Sequence, residues 1–305
     1  MIIFFTALFN LTVAEGTING LLFYVNCLHA NLDSCVFTST SYYFPKVFIL
    51  WLNLDFGFEV CFYAGMTAYQ KIWLEFGFLL YLLLLGVMIV CLSHRFVWFT
   101  RLAGRNVVPV LATVAMLAYP KLIRLFIATL TCNKHSSSKS WYSDGKYHLF
   151  WELDETIECF SGNHLLLSIF AVMMFLIALL YTLCLLLIQC LLKGSGCCML
   201  RWVNKLRPFF DAYTGPCNDH YRFWPGFLLF VRLGIYMLFA IVHQIFKGEV
   251  MTAICVFTIF LAFVYPKGVY KKWALNVVEF LFLFNLIIIS VISSLGKKNQ
   301  SYFEA

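Results

Sequence analysis

Charge is what this sequence has least of. Asp, Glu, Lys and Arg make up 12% of its 305 residues, against about 25% in an ordinary soluble domain. That scarcity argues against a soluble globular chain of this size. The motifs of site chemistry are also missing. There is no glycine-rich phosphate loop and no Ser, His and Asp set within a known motif. No two cysteines have CxxC spacing. No catalytic centre, cofactor or metal is therefore expected. Arginine–aromatic interleaving on a soluble face is lacking too, so the net charge of +7 does not point to nucleic acid.

What fills the chain is apolar surface. Hydrophobic residues make up 62%, mean hydropathy is +0.84, and Phe alone contributes 33 residues. Several runs reach about 20 residues, the length of a helix that crosses a bilayer. The expected fold is all-α: a polytopic transmembrane helical bundle in a lipid bilayer. Six spanning segments are read at 70–92, 107–131, 165–192, 223–246, 250–266 and 274–295. A β-barrel would show short strands with polar alternate positions, and these runs are continuous. Short N-terminal membrane segments precede the spans at 1–13, 16–30 and 44–66, so the chain divides into residues 1–69, with an outer loop, and the bundle 70–305. The opening stretch "MIIFFTALFNLTVAEG" lacks the basic n-region and clean cleavage pattern of a signal peptide. It reads as part of a membrane helix.

Lys and Arg in short loops set the orientation. Loop 93–106 carries Arg95, Arg101 and Arg105; loop 193–222 carries Lys193, Arg201, Lys205, Arg207 and Arg222; loop 267–273 carries Lys267, Lys271 and Lys272. Alternating spans put all three on one side, which is therefore cytoplasmic. Loop 132–164 holds Lys134, Lys139 and Lys146 against Asp144, Glu152, Asp154, Glu155 and Glu158, and is placed outside. Within it, "HSSSKS" (135–140) has the composition of a flexible loop.

Each charge inside a span costs about 2.5–3.5 kcal/mol at a helix centre, so it needs a partner or a route to water. Lys121 and Arg124 share a helix face, about two turns from the outer end of their span. Glu75 lies at a similar depth and is the expected partner of one of them. Arg232 and Glu279 lie nearer the cytoplasmic side and are expected to pair. The first reading is that these charges hold helices in register. The second is a charged path for an ion or substrate, and the third is snorkelling to the interface. Pro120, beside Lys121, removes a helix hydrogen bond and is expected to kink the span.

Among 12 cysteines, Cys132 and Cys159 bracket the outer loop. They read either as a disulfide in an oxidising compartment or as two half-buried thiols. Cys197 and Cys198, in "LLKGSGCCMLRW", sit beside basic residues just inside the membrane, a setting that suits S-palmitoylation. Of the sequons, Asn10 is too close to an apolar run to carry a glycan, and Asn299 is on the outer side. His94, His164, His220 and His243 sit at membrane ends, where an amphipathic ring is at home, and receive no catalytic role.

Five stretches carry a resemblance: "GTINGLLFYVN", "WLNLDFGFEVCFYAGMTAYQKIWLEFGF", "RLAGRNVVPVLATVAMLAYPKLIRLF", "LRPFFDAYTGPCNDHYRFWPGFLLFVR" and "KGVYKKWALNVVEFLFLFN". In this order the chain resembles the multi-pass region that ends large, repeat-bearing surface proteins of sponges and other simple animals. It departs from that pattern at Pro120 and at Ala64, where an acidic residue is usual. The resemblance implies a preceding repeat- or cysteine-rich ectodomain, one further helix beyond these, and a topology rather than a chemistry. A fainter likeness to TRP-like proteins rests on helix number and a loop-rich outer side.

Within 207–226, Pro208, Gly215 and Pro216 are expected to set turns in a juxtamembrane loop. Phe209, Phe210, Tyr213 and Trp224 supply interfacial aromatics, and Asp211 and Asp219 face Arg207 or Arg222. The stretch reads as an elbow orienting the next helix, or else as a docking surface. The functional expectation is a receptor-like or anchoring surface protein in the plasma membrane, with an ectodomain or protein partner and no enzyme activity. The alternative is a TRP-like cation channel or transporter, and a lipid transferase ranks third.

Overall fold

The computed structural model describes residues 21–25, 27, 66–96, 107–134, 149–187, 199–241, 247–264 and 268–303. Its elements are α1 (Ala68–Arg95), α2 (Val107–Leu130), β1 (Cys132–Lys134), β2 (Leu149–Trp151), β3 (Asp154–Glu158), α3 (Gly162–Leu186), α4 (Met199–Thr214), α5 (Trp224–Ile241), α6 (Lys247–Val264) and α7 (Trp273–Phe303), with a 3-10 turn at Asp219–Tyr221. Among the described residues, four helices are long and apolar enough to cross a membrane: Ala68–Ser93, Val108–Leu130, Gly162–Leu186 and Trp273–Ile292. The two other expected spans correspond to the 18-residue helices α5 and α6. Segments 1–13 and 44–66 lie outside the described residues, as does most of 16–30.

Helix α2 is the centre of the bundle. Of its span, 72% is buried, against 22% for α1 and 28% for α3. It packs against α1, α3, α4 and α5. The outward faces of α1 and α3 carry Leu84, Ile177 and Leu180, each well exposed, as suits helices whose outer side meets lipid tails. Lipid supplies no hydrophobic drive between helices, so close packing and internal hydrogen bonds must hold them together. Gly226 shows the first: a Cβ there would sit 2.5 Å from the Leu186 backbone nitrogen of α3. Buried hydroxyls show the second. Thr129 and Ser290 each donate to the carbonyl four residues earlier in their own helix, which satisfies them without help from water.

Several expectations change. The described residues are mostly helical, as expected, with one addition: β1, β2 and β3 form a small antiparallel sheet between α2 and α3, with Cys132 opposite Trp151 and Phe150 opposite Glu158. A turn at Glu152 and Leu153 joins β2 to β3. Trp151 faces inward while its neighbours do not, so the single inward residue ties the sheet to the bundle. Residues 199–214 are a helix, α4, with Pro208 in its interior, rather than a loop turned by that proline. Phe210, Tyr213 and Thr214 are buried, at helical spacing, while Arg207, Pro208 and Asp211 are exposed. Packing of that stripe overrides the lost backbone donor. Helical structure also continues through Pro120 in α2, and α7 runs on to Phe303, so Asn299 lies within a helix.

Candidate functional site: buried polar junctions of the bundle

Three polar junctions interrupt the apolar interior. The first joins α1 to α2. Thr67 caps α1 in a reciprocal capping box with Gln70, which fixes the start of the helix and sets Glu75 two turns in. Lys121 Nζ lies 2.9 Å from Glu75 Oε2, and both side chains are 8% exposed. Of the two cations expected near Glu75, Lys121 makes this contact, and Arg124 is half-buried one turn further along α2. At this burial each charge is tolerated because the other is present.

The second junction seats the small sheet on the end of the bundle. Cys132 and Cys159 are disulfide-bonded across 27 residues. Trp151, fully buried, donates from Nε1 to the Ala128 carbonyl of α2 at 2.9 Å. Its ring lies against Tyr69 of α1 and edge-on to His164 of α3, at 5.4 and 5.1 Å between centroids. His164 is fully buried. Its Nδ1 accepts from the Phe160 backbone N–H at 3.0 Å, and Phe160 holds a left-handed φ of 58° between the disulfide and α3.

The third junction binds the other ends of α5 and α7. Trp224, the first residue of α5, donates from Nε1 to Glu279 Oε1 at 3.2 Å. The Tyr270 hydroxyl also engages that carboxylate. Tyr270 precedes α7 in a short strap that pairs with the residues after α4: Cys217 bridges Tyr270, Asn218 N–H donates to the Val269 carbonyl, and Lys271 N–H donates to the Pro216 carbonyl. Asn276 turns the strap into α7, its Oδ1 accepting from both the Val269 and Tyr270 amides at 3.0 Å. Gly268 makes that possible, with φ +69° and no room for a Cβ beside Asn276. Burial pushes the Cys217 thiol and the Tyr270 hydroxyl well up, with the Glu279 carboxylate adding to both. At the exposed edge, Arg222 holds the Asp219 carboxyl below its usual range through a 2.8 Å hydrogen bond. Arg207 lies 3.6 Å from Asp211 within α4.

Arg232 and Glu279, expected to pair, interact electrostatically, while the hydrogen bonds to the carboxylate come from Trp224 and Tyr270. Arg232 is 1% exposed. Its guanidinium sits over the Phe23 ring, 5.4 Å from the centroid. Cys27, Tyr119, Tyr236 and Tyr270 are within electrostatic range of it.

Tyrosines complete the interior. Thr182 of α3 donates to the Tyr119 hydroxyl of α2 at 2.9 Å, and Tyr119 donates to the Leu229 carbonyl of α5 at 3.3 Å. Tyr213 fastens α4 to α2 by donating to the Ala112 carbonyl, and burial pushes its hydroxyl well up. Trp224, Tyr270, Asn276, Trp151 and His164 were not picked out as partners from sequence. Their one shared signal is a hydrogen-bonding residue at or near the end of an apolar run. Cys197, Cys198 and Asn10 lie outside the described residues. Among the described residues, no group of three or more His, Cys, Asp or Glu stands where it could hold a metal.

Chemically, these junctions join helices. Lys121 with Glu75, Trp151 with Ala128, and Trp224 with Glu279 each link two different elements. No family model matches the chain, and no curated protein or solved structure matches it.

Proposed function

We propose that this chain is the membrane-embedded, multi-pass region of a receptor-like or anchoring surface protein, without a catalytic centre, residing in the plasma membrane. In this reading α1, α2, α3, α5, α6 and α7 are the six spans. The disulfide-bonded sheet lies outside, and α4 with the 268–272 strap lies in the cytoplasm. The observation that carries the reading is the seating of the sheet: Cys132–Cys159 closes it, Trp151 is bonded to α2, and Tyr69 and His164 clasp it from α1 and α3. A cap held so firmly suits force or position passed from an outer segment to the bundle. The Lys and Arg of the loops supply the orientation. The likeness of five stretches to the membrane region of sponge-type surface proteins agrees with it.

The alternative is a TRP-like cation channel or transporter. The observation in its favour is Arg232, a cation buried deep in α5 rather than at its end. Recording from the purified chain in planar bilayers separates the two. The anchor reading expects silent membranes at verified incorporation. A cation current that changes with Arg232→Gln overturns it in favour of the channel.

A further inference from the structure

We propose that His164 is a proton-binding site that controls how tightly the disulfide-bonded sheet sits on the bundle. Three geometric facts meet at this side chain. First, it is fully buried among Trp151, Tyr69 and Phe160, whose rings lie 5.1, 6.5 and 5.8 Å from the imidazole. Second, Nδ1 is an acceptor. It takes the Phe160 N–H at 3.0 Å, and the Ser168 hydroxyl lies 3.3 Å away while donating to the His164 carbonyl at 2.8 Å. A ring whose Nδ1 accepts carries its proton on Nε2 and is neutral. Third, Nε2 is buried without a hydrogen-bond partner, although the Thr129 carbonyl of α2 is near the ring.

A second proton can therefore go only to Nδ1. There it turns the acceptor into a donor facing the Phe160 N–H, and two donors at that distance repel. The bond lost is the one holding the residue whose φ is 58°, directly after Cys159. The new charge also lies in a buried box where charge is costly. Each effect drives Phe160, and the end of β3 with it, away from α3. The disulfide keeps the sheet closed on itself, so what loosens is its seat on the bundle, around Trp151.

The other titrating and charged groups around the ring leave this to His164. From α1 come Tyr69 and, further in, Glu75, which is neutralised by Lys121 of α2. From β3 come Asp154, in electrostatic contact with Tyr69, and Glu158. The Asp154→Asn, Glu158→Gln double variant separates any contribution of the β3 carboxylates from that of the imidazole.

Hydrogen exchange followed by mass spectrometry on the full chain in lipid nanodiscs tests this, comparing about pH 7.5 with about pH 5 after correction for intrinsic exchange rates. Wild type is expected to lose protection over 149–165 by about tenfold per pH unit once the imidazole titrates. His164→Asn keeps a side-chain acceptor in the Nδ1 position and cannot titrate, so its sheet stays protected at both values. His164→Phe lacks the acceptor and is loose at both. Asp154→Asn with Glu158→Gln retains the wild-type response. A wild-type sheet equally protected at both pH values overturns the proposal, as does a His164→Asn chain that loosens with the wild-type pH dependence.

Discussion

Removing the Glu75 carboxylate should be among the most damaging single changes in the bundle. Glu75→Ala leaves the Lys121 ammonium 8% exposed, with its 2.9 Å partner gone. Stranding one member of a buried pair costs about 3–5 kcal/mol. The same range is expected for Lys121→Ala, since each single change removes the opposite charge of a buried pair. Replacing both, as Glu75→Leu with Lys121→Met, removes the pair and its desolvation together. That double variant should lie within about 1 kcal/mol of wild type, or above it. Exchanging the two residues, Glu75→Lys with Lys121→Glu, should recover much of the loss. Unfolding free energies measured in bicelles by steric trapping, for wild type, Glu75→Leu, Lys121→Met and the two together, would supply the four corners of the cycle. The expected coupling is about 3 kcal/mol or more, far above the few tenths of distant sites. Single variants that each cost less than about 1 kcal/mol, or costs that simply add in the double variant, would refute the reasoning.

Three further outcomes follow from the same physics. Gly226→Ala places a Cβ 2.5 Å from the Leu186 nitrogen, so α3 and α5 must separate, and a loss of about 1–3 kcal/mol is expected in thermal unfolding in detergent. Trp224→Phe leaves Glu279 without its indole donor; a loss of about 1–3 kcal/mol is expected, and Glu279→Gln in that background should restore part of it. Reducing the Cys132–Cys159 bond opens a 27-residue loop, which on chain-entropy grounds costs the sheet about 3.5 kcal/mol, readable as faster proteolysis within 135–160.

The long helices were legible because bilayer thickness imposes a length, and composition reveals it. Depth was legible too. Glu75 and Lys121 lie at matching distances from the ends of adjacent spans, and the structure places them in contact. Depth also put Arg232 within electrostatic range of Glu279, but it did not identify the carboxylate's hydrogen-bond donors, Trp224 and Tyr270. Trp224, at the start of α5, was level with Glu279 and carried a donor, but an indole at a helix end reads first as an interfacial anchor. The strap was hidden for a different reason: its bonds run between residues about 50 apart, such as Asn218 and Gly268, and no local pattern encodes them. In α4 the proline outweighed the buried positions Phe210, Tyr213 and Thr214, so the helix was read as a loop. For His164, position at a membrane end suggested only an amphipathic ring at home at the interface. Its burial comes from the sheet folding over it, which apolar periodicity does not foresee.

The central claim is an anchored bundle whose disulfide-bonded sheet faces outward while α4 faces the cytoplasm. Epitope tags inserted singly in 135–148 and in 193–198, probed in intact and permeabilised cells, test it most directly. The account predicts that the first tag binds antibody on intact cells and that the second binds only after permeabilisation. Accessibility in the opposite order, or both tags on the same side, would contradict it.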